Sequence, residues 1–578
     1  MASLPPFPVA VPLIVAAGLL ALNGVLPRRV VDAVALVTGV TVVIVAAVLL
    51  HQAGGHTVIT WFGGWTPQHG TAIGVSFVVD QIGAGGVVLA GVVITVALAM
   101  TRRTVDPEGT LVHALLLVVL GGAAGFCLTG DLFNMFVFFE LMAVATIGLA
   151  AYQSDDLAAL RGALNFAITN SIGAFAVLSG IALLYGRTGT LNLAQIGRRL
   201  AASGNPDRLV IVAFTLILVG FLIKAAVVPF HFWLIDAASS APLPLAMVFA
   251  GVLDLLGVYG VARVYWTCFG GDLRPHAAAI RTVLIVVGSV SAILAGGLSM
   301  NAHQPRRMVA FVMVSHTGIL LVAVGVLSGP GVAAFAVYAV GDSFAKLALL
   351  CGVGLLGGSR RAGWLIVASG VALAGLPPLA TGVGKAAIDT AATRAGAGWA
   401  VPILVLASVL TGSAAIRVGL DTLRSASGRV AGGGVLWTAG GSLLSASLAA
   451  GLLLPGWAAR AGQRFVDVGR YQALVLGGGP SSVAVGRVPA VVGRVPAVVG
   501  RVPAAGLTSG GTVVDLSAVA VAILLAALPD SARRVVAGKG RRMGATLRAL
   551  HSGSIADSAV WVTVGTALIG VVLAASIR

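Results

Sequence analysis

Long apolar runs separated by short polar segments occupy most of the chain. A helix that crosses a bilayer needs about 20 consecutive, mainly apolar residues. The runs predict an all-α, polytopic membrane protein and lie near residues 8–26, 30–50, 77–100, 111–128, 132–152, 161–186, 209–235, 242–268, 277–300, 308–328, 332–357, 364–392, 400–420, 435–455, 513–529 and 558–577.

Two segments interrupt this pattern. Residues 51–76 contain histidine, tryptophan, proline and several glycines, which favours an ordered polar loop or a hairpin. Residues 456–512 carry a repeat, VGRVPAV at 485–491 and 492–498 and VGRVPAA at 499–505. A proline in every copy excludes a coiled coil. We expect a low-complexity loop there, with a partner-binding tether as the alternative.

Composition narrows the class of protein. Of the 578 residues, 58% are hydrophobic and 10% charged, and the mean hydropathy is +1.03. A soluble chain carries roughly 25% charged residues, so a soluble enzyme, a disordered chain and a nucleic-acid-binding domain are excluded. Cys127, Cys268 and Cys351 show no CxxC spacing, which argues against a metal or iron–sulfur site. No sequence motif for a bound cofactor is present.

The net charge of +17 fits membrane topology better than nucleic-acid binding, because most basic residues lie in short loops between apolar runs. The first run lacks a basic segment before it, so we interpret it as a helix and not as a cleaved signal. The positive-inside bias then places both termini outside a bacterial cell membrane, with the cytoplasmic loops holding Arg28, Arg29, Arg102, Arg103, Arg161, Arg306, Arg307, Arg360, Arg361, Arg417, Arg424, Arg429 and the basic cluster at 533–548.

Lysine is used selectively. It occurs only at positions 224, 346, 385 and 539, and the first three lie inside apolar runs. A charge at the bilayer centre costs at least about 3 kcal/mol. Lysine, unlike arginine, can release its proton when it is buried. Lys224, Lys346 and Lys385 are therefore candidate proton carriers.

Other ionisable residues occur at the same depth. Glu140, Asp254, Asp342, His316 and His231 all lie in apolar runs or directly beside a proline there. Asp342 and Lys346 are four residues apart and can pair on one helix face. A structural ion pair remains the alternative for the charged residues, and hydrogen-bonded packing remains the alternative for each histidine.

Prolines interrupt two of the lysine-bearing runs. Pro229 follows Lys224, whereas Pro377 and Pro378 precede Lys385. A proline removes a backbone donor and opens a helix, and broken helices in corresponding halves mark the sites of many transporters. The mirrored order favours two inverted five-helix repeats, at 111–268 and 277–420.

Three segments resemble the antiporter-like proteins shared by Mrp-type cation/proton antiporters, respiratory complex I and membrane-bound hydrogenases. They are TGDLFNMFVFFELMAVATIGLAAYQ (129–153), IKAAVVPFHFWLIDAASSAPLPLAMVFAGVLDLLGVYGVARVY (223–265) and GLPPLATGVGK (375–385). The likeness covers about residues 77–420, and the motif GDLFN…FFELM is closest to that of the D subunits of Mrp antiporters.

This resemblance implies a fourteen-helix core with two inverted five-helix repeats and a half-channel in each. N-terminal helices and an outer loop (1–110) precede the repeats, a last core helix (435–455) follows them, and about two extra C-terminal helices (513–578) lie beyond the core. The resemblance also implies that Glu140 pairs with Lys224 and that Lys385 serves the outer half-channel. The chain departs from the family at Leu255, where relatives carry a lysine or histidine, and at Ala238.

The sequence therefore predicts a proton- and cation-translocating membrane subunit of an Mrp-type antiporter. Its partners would be other subunits of a hetero-oligomeric complex, protons, and Na⁺ or K⁺. It would perform no enzymatic chemistry itself. Two alternatives remain: the proton-pumping subunit of a complex I-type oxidoreductase or hydrogenase, and a non-conducting scaffold, which the loss of a base at Leu255 favours. Asp254 is expected either to face Lys224 or to replace the missing base.

Overall fold

The computed structural model describes residues 4–104, 110–152, 156–204, 207–356, 360–425, 434–477, 509–527 and 555–576. Nearly all of these residues are helical. The α-helices are α1 (Phe7–Ala21), α2 (Arg28–Gly55), α3 (Gln81–Thr104), α4 (Thr110–Leu128), α5 (Leu132–Ala150), α6 (Leu157–Thr188), α7 (Leu193–Ala202), α8 (Arg208–Lys224), α9 (Phe232–Ser240), α10 (Leu243–Val248), α11 (Asp254–Val264), α12 (Ala277–Met300), α13 (Pro305–Gly325), α14 (Gly329–Gly354), α15 (Arg360–Leu373), α16 (Ala380–Arg394), α17 (Val401–Ser425), α18 (Gly434–Phe465), α19 (Val468–Val475), α20 (Ser509–Ala527) and α21 (Ile555–Ser576).

The helical membrane architecture confirms the fold class. Within the described ranges, 11 helices are long and apolar enough to cross a bilayer. Shorter apolar helical stretches lie at Phe7–Ala21, Val514–Ala527 and Val560–Leu573. The count of fourteen core helices stays a prediction.

A hairpin follows α2. Strand β1 (Val58–Trp61) pairs antiparallel with β2 (Ser76–Val79), with Val58 opposite Val79. The hairpin predicted for this region is confirmed, although α2 continues through Gly55, further than the apolar run indicated.

Both proline-containing runs are broken where the sequence indicated. Residues 225–231 separate α8 from α9, and residues 374–379 separate α15 from α16. Ala226 (φ 53°) and Gly375 (φ 95°) take left-handed backbone conformations at the two breaks. The indole of Trp233 donates a 2.9 Å hydrogen bond to the carbonyl oxygen of Ile223 at the end of α8, which also accepts from the backbone nitrogen of Ala226 at 3.1 Å. Non-helical backbone is thus satisfied inside the protein, as a membrane environment requires.

The helical stretch Leu243–Phe269, which follows α9, is irregular at the point that carries Asp254. A π-helical segment, Phe249–Leu253, lies between α10 and α11, and a second one, Tyr265–Phe269, follows α11. Single π-turns occur often at functional sites. Asp254 is the first residue after the first π-segment.

Two close approaches between helices surround the candidate residues. A methyl group on Gly257 would lie 2.6 Å from the backbone nitrogen of Ala225, so α11 packs directly on the end of α8. A methyl group on Gly384 would lie 2.6 Å from Cα of Tyr338, so α16 packs directly on α14. Only glycine permits such spacing.

The prediction of a loop that starts at residue 456 is wrong for its first residues, which are helical. Helix α18 continues past Pro455 to Phe465, and α19 then follows up to Val475. Ala458, Ala461 and Phe465 form a buried stripe at helical spacing, which holds this moderately apolar segment against the other helices. The heptapeptide repeat at 485–505 lies outside the described residues.

The two extra C-terminal helices pack beside the two breaks. Ala518, Val519 and Ala522 of α20 lie in one buried apolar cluster with Ala374 of the second break. In α21, Gly565 lies against the ring of Pro229 at the first break. Each of these helices therefore packs beside one of the two breaks.

Candidate functional site

The first cluster joins α5, α6 and α8. Lys224 is the last residue of α8, and its ammonium donates a 3.1 Å hydrogen bond to Oδ1 of Asn170. Nδ2 of Asn170 donates to Oε1 of Glu140 at 3.5 Å. The Lys224 nitrogen also lies 4.4 Å from the centre of the Phe139 ring, within cation–π range. The Glu140–Lys224 pair that the family resemblance implies is thus bridged through the amide of Asn170.

Asn170 is not among the site residues predicted from the sequence, although the sequence contains a signal for it. It lies in the apolar run 161–186 together with Asn165, and polar side chains in such a run call for buried partners. Asn165 has a different role, because its Nδ2 donates a 2.9 Å hydrogen bond to Asp236 after the first break.

Replacing Asn170 by alanine should lower cation/proton exchange about tenfold, because the polar link between Lys224 and Glu140 is lost and proton transfer needs hydrogen-bond reach. Exchange is measured in membrane vesicles at equal protein content. Asn165→Ala, a buried change on the same helix, is the control and should retain most of the exchange. Equal rates in Asn170→Ala and wild type would contradict a bridging role.

The central cluster is a lysine between two carboxylates. Nζ of Lys346 lies 2.8 Å from Oδ2 of Asp254 and 2.7 Å from Oδ2 of Asp342, and each of the three side chains is 1% exposed. Thr317 donates a 3.1 Å hydrogen bond to Asp254, and the backbone nitrogen of Leu255 donates another at 2.8 Å. The i, i+4 spacing of Asp342 and Lys346 thus produces a contact.

The expectation that Asp254 faces Lys224 is wrong. The carboxylate points to Lys346 of α14, and the part of α11 that meets the end of α8 is occupied by Gly257, one turn further on. Gly251, one turn before Asp254, lies against both Val93 of α3 and Leu347 of α14, so this stretch is packed between these two helices.

His316 extends the central cluster to two more helices. Its Nδ1 lies 2.8 Å from Oδ1 of Asp342 and 2.9 Å from the hydroxyl of Tyr338, and its Nε2 lies 3.0 Å from the hydroxyl of Thr411. Asp254, Lys346, Asp342 and His316 therefore form a continuous buried series in which neighbouring polar atoms are less than 3 Å apart.

The third cluster surrounds Lys385 of α16. Its Nζ lies 3.1 Å from Oδ2 of Asp389, one turn along the same helix, and 3.5 Å from Oδ1 of Asp515 on α20. Neither acid was predicted from the sequence. Asp389 could have been found from its i, i+4 spacing to Lys385. Asp515 could have been found as the one charged residue of the apolar run 513–529. Its partner could not, because the chain brings Asp515 to Lys385 from far downstream.

His231 lies in the first break, at the start of α9. Its ring is buried and packs on that of Phe232, with 4.3 Å between the ring centres. Pro229, Pro377 and Pro378 lie in the breaks themselves, outside the helices.

A further buried ion pair has a different character. Arg263 of α11 lies 2.5 Å from Asp80 and donates 2.9 Å and 2.7 Å hydrogen bonds to the hydroxyl of Tyr259, which donates to the carbonyl oxygen of Cys127. An arginine does not lose its proton in proteins. This network therefore ties α11 to its neighbours α3 and α4 and is unsuited to carry protons.

The three clusters can perform acid–base chemistry without a bound group. In the central and third clusters, amines, carboxylates and an imidazole lie within 3.5 Å of a neighbour in a low-dielectric interior, where such contacts are strong, and in the first cluster an amide links the amine to the carboxylate. Within the described ranges, no three histidine, cysteine or acidic residues are placed to hold a metal ion.

Comparison with known proteins shows which family this chain resembles. Residues 129–411 match the model described as NADH:quinone oxidoreductase/Mrp antiporter, transmembrane. The D subunit of a probable K⁺/H⁺ antiporter of Rhizobium meliloti is 32% identical over 326 residues, which are 55% of this chain and 59% of the relative. The D subunit of a Na⁺/H⁺ antiporter of Bacillus subtilis is 26% identical over 380 residues, 62% of this chain and 74% of the relative.

The fold is that of one chain in a solved antiporter complex. A chain in the structure of the Mrp complex from Dietzia sp. DQ12-45-1b superposes with a TM-score of 0.72 at 25% identity, covering 82% of this chain and 99% of that one. The family match at 129–411 contains every residue of the three clusters except Asp515. Through these residues, the chain is similar to NADH:quinone oxidoreductase/Mrp antiporter transmembrane subunits.

Proposed function

We propose that the chain is a proton- and cation-translocating subunit of a multisubunit Mrp-type Na⁺(K⁺)/H⁺ antiporter. The observation that carries the proposal is the buried series Asp254–Lys346–Asp342–His316, since four titratable groups at contact distance would be costly to bury for packing alone. The relatives from Rhizobium and Bacillus, named as antiporter subunits for K⁺ or Na⁺ and H⁺, support the same function.

In this proposal, protons cross the interior by hopping between side chains. Lys224 and Lys385 alternate between the charged and neutral forms, one in each half-channel, and the central series connects the halves. Glu140 favours the charged form of Lys224 through its own negative charge, transmitted across Asn170. His231 lies next to the first break, where the proton would enter or leave the first half.

The central series also bears on Leu255. The family's usual base is missing at that position, which favoured a non-conducting scaffold. Asp254, its neighbour, contacts Lys346 directly and offers an acid at the place where a base is usual. A working relay that uses an acid in this helix therefore accounts for the departure.

We further propose that residues 111–268 and 277–420 are inverted repeats, each with one broken helix. The opposite order of lysine and break supports this, because Lys224 ends α8 before its break and Lys385 follows the break in α16. The distribution of arginines supports a multi-pass location in a bacterial cell membrane with both termini outside. The chain itself would catalyse no reaction.

The function is tested by cation-driven proton movement in inverted membrane vesicles of an antiporter-deficient host. The full chain is expressed with and without its neighbouring genes, and Na⁺ or K⁺ is added to energised vesicles. We expect exchange when the neighbouring subunits are present. Proton movement that requires an electron donor instead of a cation gradient would favour the oxidoreductase alternative, and none under either condition would favour the scaffold.

A further inference from the structure

The extra helix α20 contains a single charged residue. Its sequence, SGGTVVDLSAVAVAILLAA, is apolar apart from Asp515 and small hydroxyl residues. A lone carboxylate in a membrane-depth helix is costly unless it finds a partner. Asp515 is 2% exposed, so it faces protein and not lipid.

The partner of Asp515 is the lysine of the second broken helix. Oδ1 of Asp515 lies 3.5 Å from Nζ of Lys385, which Asp389 also contacts at 3.1 Å. One oxygen of each carboxylate, Oδ1 of Asp389 and Oδ2 of Asp515, is buried without a hydrogen-bond partner among the described residues. Two acids thus share one amine, and both keep an oxygen that can take up a proton.

Packing fixes α20 in this position. Ala518, Val519 and Ala522 lie in one buried apolar cluster with Ala374 of the break and Val409 of α17. The carboxylate is therefore held beside Lys385 by the helix that carries it.

The other elements packed around α16 hold their titratable groups mainly on other partners, although Tyr338 of α14 also interacts electrostatically with Asp389. On α14, Asp342 contacts Lys346 and His316, and Tyr338 contacts His316 of α13. On α17, Arg417 donates to the carbonyl oxygens of Met300 and Ala302. Asp421 of the same helix contacts Arg424. Arg464 of α18 donates to the carbonyl oxygen of Gly54.

We propose that Asp515 is a positioning residue for Lys385, through which the extra helix α20 sets the protonation of the lysine in the second half-channel. The proposal rests on the proposed function only for its effect on transport. The two carboxylates lie beside the Lys385 amine, so their oxygens are the nearest acceptors for a proton that the amine releases in the proposed function. In this proposal, helix α20 takes part in transport through its contact with Lys385.

One experiment tests the contact without transport. The full chain, in membranes, is treated with a hydrophobic carbodiimide, which modifies protonated buried carboxyl groups, and the modified peptide containing Asp515 is quantified by mass spectrometry. Loss of the neighbouring cation in Lys385→Met should raise the labelling of Asp515 several-fold, whereas Lys224→Met should leave it unchanged. Equal labelling in Lys385→Met and wild type, including none in either, overturns the proposal.

A second experiment tests the role. Exchange in vesicles is measured against pH for Asp515→Asn, Asp515→Glu and Ser517→Ala, an exposed polar position of the same helix. With one carboxylate gone, Lys385 keeps only Asp389 as an acidic partner, so the pH profile of Asp515→Asn should depart from the wild-type profile. Asp515→Glu and Ser517→Ala should keep the wild-type profile. A wild-type profile in Asp515→Asn overturns the role, and a wild-type chain without exchange refutes the proposed function but leaves the labelling result decisive for the contact.

Discussion

Lys346→Met should abolish exchange and weaken the fold. The substitution leaves Asp254 and Asp342 facing each other across the space of the lost ammonium, which lies 2.8 Å and 2.7 Å from their oxygens. Breaking a buried ion pair by removing one partner costs about 3–5 kcal/mol, and here two carboxylates lose their cation at once. At least one of them would have to stay protonated, which would interrupt the series toward His316.

Two measurements check this result, namely cation-driven proton movement in vesicles and the thermal stability of the purified chain in detergent. Cys351→Ala, a change at a buried uncharged side chain of the same helix, is the control and should retain exchange. A Lys346→Met chain that exchanges at the wild-type rate would show that the central cluster only holds the helices together.

Asp254→Asn should reduce proton flux by about tenfold or more, because a proton-transfer partner is lost from the series. Asparagine has nearly the same shape and can still accept the hydrogen bond that Thr317 donates at 3.1 Å. Lys346 keeps its contact with Asp342. The fold should therefore survive, and the loss should concern transport.

The rate is measured in vesicles at matched protein content, with Asp272→Asn as a buried control outside the three clusters. Normal transport by Asp254→Asn would mean that the proton path bypasses α11. The scaffold alternative would then gain support.

The helical architecture and the positions of both breaks could be predicted from the sequence, because they depend on local signals. Apolar runs longer than a bilayer needs predict spans, and Pro229 and Pro377 mark where helices must open. The contact between Asp342 and Lys346 follows from helix geometry alone.

The partners across helices could not be predicted, because they depend on how the helices rotate and pack. Asp254 faces Lys346 since Gly251 and Gly257 set the sides on which its helix meets α14 and the end of α8. Asn170 enters the first cluster from another helix, and Asp515 reaches Lys385 from a helix far downstream in the chain. Such contacts leave no periodic trace in the sequence.

The continuation of α18 shows a different limit. Residues after Pro455 are less apolar than a typical span, so they were assigned to a loop. A buried stripe through Ala458, Ala461 and Phe465 is sufficient to keep them helical. Mean hydropathy is a weaker guide to helix ends than the spacing of the buried positions.

The proposed function depends above all on buried lysines that gain and lose a proton. Lys385→Arg isolates this step, because the forked guanidinium can still pair with both Asp389 and Asp515 but cannot release its proton. The measurement is the initial rate of cation-driven proton movement in vesicles that contain equal amounts of the variant and the wild-type chain. We expect a folded, membrane-inserted variant without exchange, whereas a wild-type rate would reduce Lys385 to a structural counter-ion and contradict proton transfer through this lysine.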